Sequence, residues 1–554
     1  MTGSHEATLV RLHAAAASFA ATAADARAEL ARRTALAVAA AADRWIEAAV
    51  AIKSGGELAQ AAVVRAEETA TGPLATLRLL LVTARAWREI ATRGTPRPIA
   101  PPRIVHAGGS GSFVAVDVFP ERWIADQAMF QGHRGTVRCA NPGDLAAFDR
   151  SWREECRDRP RRGGVAVVLG AGNVTGLAVA DAIAQVFEHG RGALVKLHPL
   201  QLPLVPVFRA ALEPLVAAGL VEFIGGGPEI VADALTSPRV THVHLTGGRA
   251  AFDAVLRSLP APDAGVARSV TCELGGVTPW IVVPGRYTEP QLRRQADLVA
   301  GSILHNTSFN CIATKCLVTC RSWDQRDAFL EQVKRRLASV PARRSWYPGA
   351  TAAWEQATAT RAPADGTLPW CFRTGVDVAR EPHWLEREWF APVAVEVPLD
   401  AGDIEAFCTR ATASVRRLPG SLAASVTIPE SLPPSDRRRV ELLVEHLEYG
   451  TVAVNTWSAL GYSFAAVPWG GFPGGTLADP GSGIGFVHDP LVLPLVHNSI
   501  VRAPLQERST PPWLPWHPHA AELARGVIDV YAAIARGGSG LWSLARMLPR
   551  VLAG

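Results

Sequence analysis

Four short apolar runs dominate the middle of this chain: VAVVL at 165–169, ALVKL at 193–197, LVEFI at 220–224 and VTHVHL at 240–245. They recur about 20–28 residues apart, and helical stretches such as LAVADAIAQVFEHG lie between them. Short strands that alternate with helices imply βαβ units, and therefore a parallel sheet with both faces covered. A second α/β stretch begins near WIVV (280–283) and continues through CLVTC (316–320) and VAVEV (393–397) to TVAVN (451–455). Ahead of the first, residues 1–95 are Ala-rich with charges at helical intervals, and read as several helices. TPRPIAPP (95–102) is a Pro-rich break, and the β-branched and aromatic residues of 112–137 read as strands or a hairpin.

Composition narrows the function classes. At 554 residues, 48% apolar and 19% charged, the chain can bury a full core without disulfide or metal staples. A net charge of +5 is too dilute for a nucleic-acid protein. Eight irregularly spaced cysteines make no disulfide framework, and the cluster Cys311, Cys316, Cys320 lacks zinc-ligand spacing, so no metal site is expected. Glu6, Asp25 and Glu29 interrupt the N-terminal apolar stretch, and no run of 18 apolar residues occurs elsewhere. A cytoplasmic protein with reduced thiols is the expectation.

Three segments carry candidate chemistry, and each has a plain reading. VAVVLGAGNVTG sets Gly170, Gly172 and Gly176 between a strand and a helix, as a dinucleotide loop does, but with GxGxxxG spacing. A glycine turn there for steric reasons explains it equally, and Asn173 at its tip can be a turn residue. CELGGVTPW places Glu273 before two glycines, which is compatible with a surface loop. HNTSFNCIATKC places Cys311 after a polar turn, where a buried thiol can simply pack.

Taken together these segments resemble the aldehyde dehydrogenase superfamily. Asn173, Glu273 and Cys311 stand about 100 and about 38 residues apart, similar to that family's catalytic Asn, the Glu of ELGG and the Cys of NxGQxC. VKLHP (195–199), HLTGG (244–248), EWFAPV (388–393), VAVN (452–455), VPWGGFPGG (467–475) and SGIG (482–485) resemble further family motifs in the right order. The resemblance implies an α/β fold with a parallel-sheet cofactor domain and an α/β catalytic domain. Around these it implies a helical N-terminal region and a C-terminal extension. The expected division is 1–272 for the cofactor domain (N-terminal helices 1–95, Rossmann-like region 164–272) and 273–467 for the catalytic domain. Residues 468–500 are the expected return and oligomerisation segment, and 501–554 the extension. It implies Cys311 as nucleophile, Glu273 as general base and Asn173 as oxyanion donor. For the cofactor, NAD or NADP, it implies Lys196, Thr246, Gly247, Gly248, Gly275, Glu388 and Phe390.

The departures bear on specificity. Ser308-Phe309 replaces the family's Gly-Gln, Gly248 its serine, Pro199 the acid that grips the adenosine ribose, and Trp469 the Phe of PFGG. Phe486 and Val487 stand where an Arg and an acid are usual. Losing the ribose acid leaves NADP as open as NAD. Phe309 and Trp469 are expected to line an apolar funnel for a hydrophobic aldehyde. Glu273 favours hydrolysis to the acid over acyl transfer to coenzyme A or thioester reduction; a silent scaffold is the further alternative. By resemblance, a homodimer or homotetramer is expected through 112–137 and 490–500. The Trp- and Arg-bearing tail 541–553 reads either as packing or as peripheral membrane contact.

Overall fold

Two sheets organise the chain in the computed structural model, which describes residues 3–56, 58–106, 111–259, 268–507 and 509–552. The smaller has the order Gly483–Ile484, Ser269–Leu274, Val240–Gly247, Val165–Leu169, Gly192–Lys196, Val221–Ile224. All neighbours are parallel except the first pair. All five side chains of Val165–Leu169 are buried, as a central strand with helices on both faces requires. Full burial contributes roughly 1.5–3 kcal/mol for each large aliphatic side chain.

The larger sheet has ten strands. Its parallel part is Val496–Arg502, Thr451–Val454, Ala423–Thr427, Pro279–Val282, Cys316–Cys320, Val393–Leu399, Cys371–Arg373. Beyond Val496–Arg502, the strands Arg134–Ala140, Ser112–Phe119 and Arg103–His106 add antiparallel.

This arrangement corrects two expectations. Residues 103–140 fall in the sheet of the catalytic strands and not in the cofactor-domain sheet. The segments expected to extend a partner's sheet, 112–137 and 490–500, extend this chain's own: Ile500 lies opposite Val452, and the Ser499 N–H donates to the Gly450 carbonyl at 2.9 Å. The return segment is shared, since Gly483–Ile484 joins the smaller sheet and Val496–Arg502 the larger.

The N-terminal helices Gly3–Ala20, Ala24–Ser54, Leu58–Thr69 and Ala75–Arg93 pack on the smaller sheet and reach the cleft between the sheets. The extension packs beside Trp457 and Gly301 through residues 513–514 and on these helices through Ala520–Ala535. Leu514 is buried, Trp513 lies against Trp457, and Ala520–Ala535 docks through Tyr531. The Tyr531 hydroxyl donates to Asp126, whose carboxylate also holds Arg78. Of the tail, Met547 is buried while Leu541, Trp542 and Leu548 stay exposed; residues 553 and 554 lie outside the described residues. Segment 541–552 packs through Met547 with Leu544 and Val551 half-buried, and among its described side chains the exposed large apolar ones are Leu541, Trp542 and Leu548. No described helix is long and apolar enough to cross a membrane.

Candidate active site

The Cys311 loop is built by a well-started helix that is stopped abruptly. Glu289–Leu304 opens with a capping box between Thr288 and Gln291 and with Pro in its first turn. After His305, three consecutive non-glycine residues take left-handed backbone: Asn306 (φ 55°), Thr307 (57°) and Ser308 (62°). Each such residue costs about 1–2 kcal/mol, so neighbours must hold the loop.

Those neighbours come from far away in sequence. Lys53 Nζ donates to the Asn173 carbonyl and to Asn306 Oδ1, both at 2.7 Å, and pairs with Glu68. Asn306 N–H donates to Glu67 Oε1 at 3.0 Å, and Glu67 is held by both nitrogens of the Arg343 fork at 2.8 Å. Lys315 Nζ closes the other side, donating to Ser308 Oγ (2.7 Å) and to the carbonyls of Ser308 (3.1 Å) and Ala391 (2.8 Å). Burial lowers the Lys53 ammonium against the pull of Glu68, and lowers Lys315 to about 7 against Glu388. Burial would raise Glu67, but Arg343 outweighs it and holds the carboxyl below its ordinary value.

At the end of this loop Cys311 Sγ, half-buried, lies 3.4 Å from Glu273 Oε1 and donates to it. Glu273 belongs to the smaller sheet and Cys311 to a loop of the larger, so the two sheets meet at this contact. The Trp469 indole N–H donates to Glu273 Oε2 at 3.0 Å. Burial first, then the charge of Asp181, raises Glu273 to about 7, against the hydrogen bonds from Cys311 and Trp469. Burial, then Glu273 and Glu388, pushes the Cys311 thiol well above its ordinary value. The resting pair is therefore a neutral thiol on a carboxylate that titrates near neutrality.

Asn173 stands beside them, but one amide N–H donates to the Phe309 carbonyl at 3.1 Å, so it pins the Cys311 loop. The glycines on either side of it serve packing. A Cβ on Gly176 would sit 2.4 Å from the Thr71 carbonyl, and one on Gly172 2.4 Å from the His198 ring. Phe309 does not line a funnel: it is fully buried among Trp346, Tyr347 and Phe390. The aromatic rings packed next to the pair are Trp469, itself fully buried, and half-buried Tyr462, which meet at 5.6 Å.

The expected cofactor residues lie along the same cleft. Glu388 Oε1 is buried with no hydrogen-bond partner, and a Cβ on Gly275 would lie 1.8 Å from Glu388 Oε2. Gly248 is open, with nothing within 4 Å of an added Cβ, and Gly247 beside it is half-buried. Lys196, half-buried at the end of its strand, is lowered by burial against Glu229. Phe390 lies 4.9 Å from the Tyr347 ring. Thr246 differs: its hydroxyl is committed to Asp181 Oδ2 at 3.0 Å and is buried. An orphaned carboxylate facing a side-chain-free glycine, with a half-buried lysine further along, fits a ribose-bearing dinucleotide. Among the described residues, no group of three His, Cys, Asp or Glu could hold a metal ion.

Sequence reasoning missed Lys53, Glu67, Glu68, Asp181 and Lys315. The scarcity of lysine was a usable signal, because three of the four lysines (Lys53, Lys196, Lys315) stand at this cleft.

Residues 146–353 match the aldehyde dehydrogenase family. No curated protein matches the chain in sequence. Among solved structures, lactaldehyde dehydrogenase from Escherichia coli is similar at a TM-score of 0.60 and 15% identity, covering 89% of each chain. Indole-3-acetaldehyde dehydrogenase complexed with NAD+ has a TM-score of 0.58 at 16% identity, covering 90% of this chain and 88% of its own. Salicylaldehyde dehydrogenase from Pseudomonas putida G7, complexed with salicylaldehyde, has a TM-score of 0.58 at 14% identity, covering 92% of each. At such identities these likenesses speak to the fold.

Proposed function

We propose, for a chain whose 146–353 segment matches the aldehyde dehydrogenase family, that it oxidises an aldehyde to a carboxylic acid with NAD or NADP. The observation that carries this reading is the 3.4 Å contact between Cys311 and Glu273 across the cleft. The family segment and the NAD+ bound by a similar structure support the cofactor. Residues that would hold it are Lys196, Gly247, Gly248, Gly275, Glu388 and Phe390; Glu388 would take ribose hydroxyls. Bound there, NAD or NADP supplies a hydride acceptor.

The chain's residues do the rest. Glu273 draws the proton from Cys311, and the thiolate adds to the aldehyde carbon to give a thiohemiacetal oxyanion on Cys311. The thiol must ionise at that moment, because burial keeps it neutral at rest. The Cys311 N–H faces its own sulfur, and the second amide N–H of Asn173 is free to join it at the oxyanion. Removing such a donor costs roughly 3–4 kcal/mol of transition-state stabilisation. Loss of hydride leaves a thioester on Cys311. Glu273 then takes a proton from water, which attacks the thioester and releases the acid. A base that titrates near 7 suits that step. Tyr462 and Trp469 beside the pair favour a hydrophobic aldehyde.

A panel of aldehydes with both cofactors is the test. Steady formation of reduced cofactor and acid in equal amounts supports hydrolysis. A requirement for coenzyme A would replace it with acyl transfer, and no reduced cofactor with any aldehyde would favour a scaffold.

A further inference from the structure

The strands VTHVHLTG and SVTCEL carry polar residues at alternate positions, and their register sets these opposite one another. His242 faces Ser269, His244 faces Thr271, and Thr246 faces Glu273. Because alternation is strict, all six side chains lie on one face of the sheet, towards the helix Leu177–Phe187. They are joined. Ser269 Oγ lies 2.7 Å from His242 Nδ1, and His242 Nε2 lies 2.9 Å from Thr271 Oγ1. Thr271 Oγ1 lies 2.8 Å from His244 Nδ1. His244 Nε2 then meets Thr246 Oγ1 at 3.3 Å and Asp181 Oδ1 at 3.6 Å. Asp181 Oδ1 is buried and has no hydrogen-bond partner, while Oδ2 accepts from Thr246. One end of the chain of groups, Ser269, is exposed; the other is one cross-strand step from Glu273.

A hydrophobic interior does not hold two imidazoles, three hydroxyls and a carboxylate in a row without need, since each must be satisfied there. Glu273 supplies the need. On the functional reading above, it receives the thiol proton before acylation and a water proton during deacylation, so it must discharge between the two. Trp469 holds Oε2, and Oε1, which faces the Cys311 thiol at rest, is left without that donor once the sulfur is acylated. We propose that Asp181, Thr246, His244, Thr271, His242 and Ser269 form a proton-conducting line that unloads Glu273 to solvent through the sheet. In each transfer a proton arrives at one atom of a hydroxyl or imidazole and another leaves from its far side, so the line gains and loses one proton and ends unchanged. The groups facing it from neighbouring segments are Asp181, His189, Arg191, Arg162 and Glu273. Burial, with Arg191 next, keeps His242 neutral at ordinary pH, so it can take a proton on one nitrogen as it yields one from the other. These are positioning and relay residues; none touches the aldehyde carbon.

Thr271→Val breaks the line at its middle with little change of shape, and Thr271→Ser restores the hydroxyl. The full-length enzyme is acylated on Cys311 with p-nitrophenyl acetate, which needs no cofactor: sulfur bonds to the acetyl carbon and p-nitrophenolate leaves. The p-nitrophenolate burst and the later loss of the acetyl group are followed separately. The line predicts an unchanged burst with Thr271→Val, acetyl loss slowed about tenfold or more, and a near wild-type rate with Thr271→Ser. His242→Gln, which keeps a hydrogen bond to Thr271 but cannot relay, should slow acetyl loss alike, and it decides the matter should Thr271→Val not fold. Acetyl loss at the wild-type rate in these variants would overturn the line, as would Thr271→Ser as slow as Thr271→Val. If wild-type acetyl-enzyme itself were not hydrolysed, the hydrolytic reading beneath the line would fall as well.

Discussion

Replacing Glu273 by Gln should make the protein more stable above neutral pH while stopping its turnover. Burial raises this carboxyl from 4.5 to about 7, so the folded state binds a proton that the unfolded state has already released. Stability therefore falls as pH rises from 4.5 to 7, and what is lost stays lost above that window. At about 1.4 kcal/mol per pH unit, the ionised carboxylate costs the fold about 3 kcal/mol above neutrality. Gln keeps an acceptor for Trp469 and carries no charge. Urea unfolding of wild type and variant at about pH 5 and about pH 8 measures this, because groups common to both proteins cancel in the difference. The variant's advantage should grow by about 2–3 kcal/mol between the two pH values. Equal pH dependence in the two proteins would refute a buried, destabilised base.

Lys53→Met strands Glu68 in the interior and should cost about 3–5 kcal/mol, with much of that recovered in the double variant Lys53→Met/Glu68→Leu; denaturant melts of the four proteins give the coupling. Truncation after residue 505 removes Leu514 and Tyr531 and should leave insoluble protein, whereas truncation after 538 should keep activity and abolish whatever binding to anionic vesicles the wild type shows. Catalytic efficiency should rise from acetaldehyde to longer or aromatic aldehydes, and a maximum at acetaldehyde would contradict an apolar lining by Tyr462 and Trp469. Hydrolysis of the acyl-enzyme should lose rate as pH falls below about 7, following protonation of Glu273 in a stopped-flow pH series.

VAVVL was legible as a central parallel strand because burial on both faces writes itself as unbroken apolar sequence, and ALVKL, LVEFI and VTHVHL because they recur at similar spacing between helical stretches. Cys311, Glu273 and Asn173 were singled out by a resemblance in order and separation to a known family, and in the structure Cys311 meets Glu273 while Asn173 bonds to the same loop. What was not legible depends on pairing across the chain. A sequence states that 112–119 and 496–502 are strands but not which sheet or which copy they join. Lys53, Glu67 and Glu68 read as ordinary helix charges, since nothing local says that their helices end against a left-handed loop near residue 306. Phe309 beside the nucleophile suggested an exposed ring, yet the loop's backbone turns it into an aromatic cluster. The two histidines of VTHVHL look like interruptions of a strand until the register sets them opposite Ser269 and Thr271.

The central claim is that Cys311 carries the acyl group and Glu273 removes it. Intact-protein and peptide mass spectrometry of Glu273→Gln, mixed with an aldehyde and NAD or NADP, tests it most directly. The account predicts one reduced cofactor per chain and an acyl adduct on the peptide containing Cys311, stable over minutes, with no such adduct persisting in wild type. Reduced cofactor with no adduct on Cys311, or an adduct that clears as fast in the variant as in wild type, would contradict it.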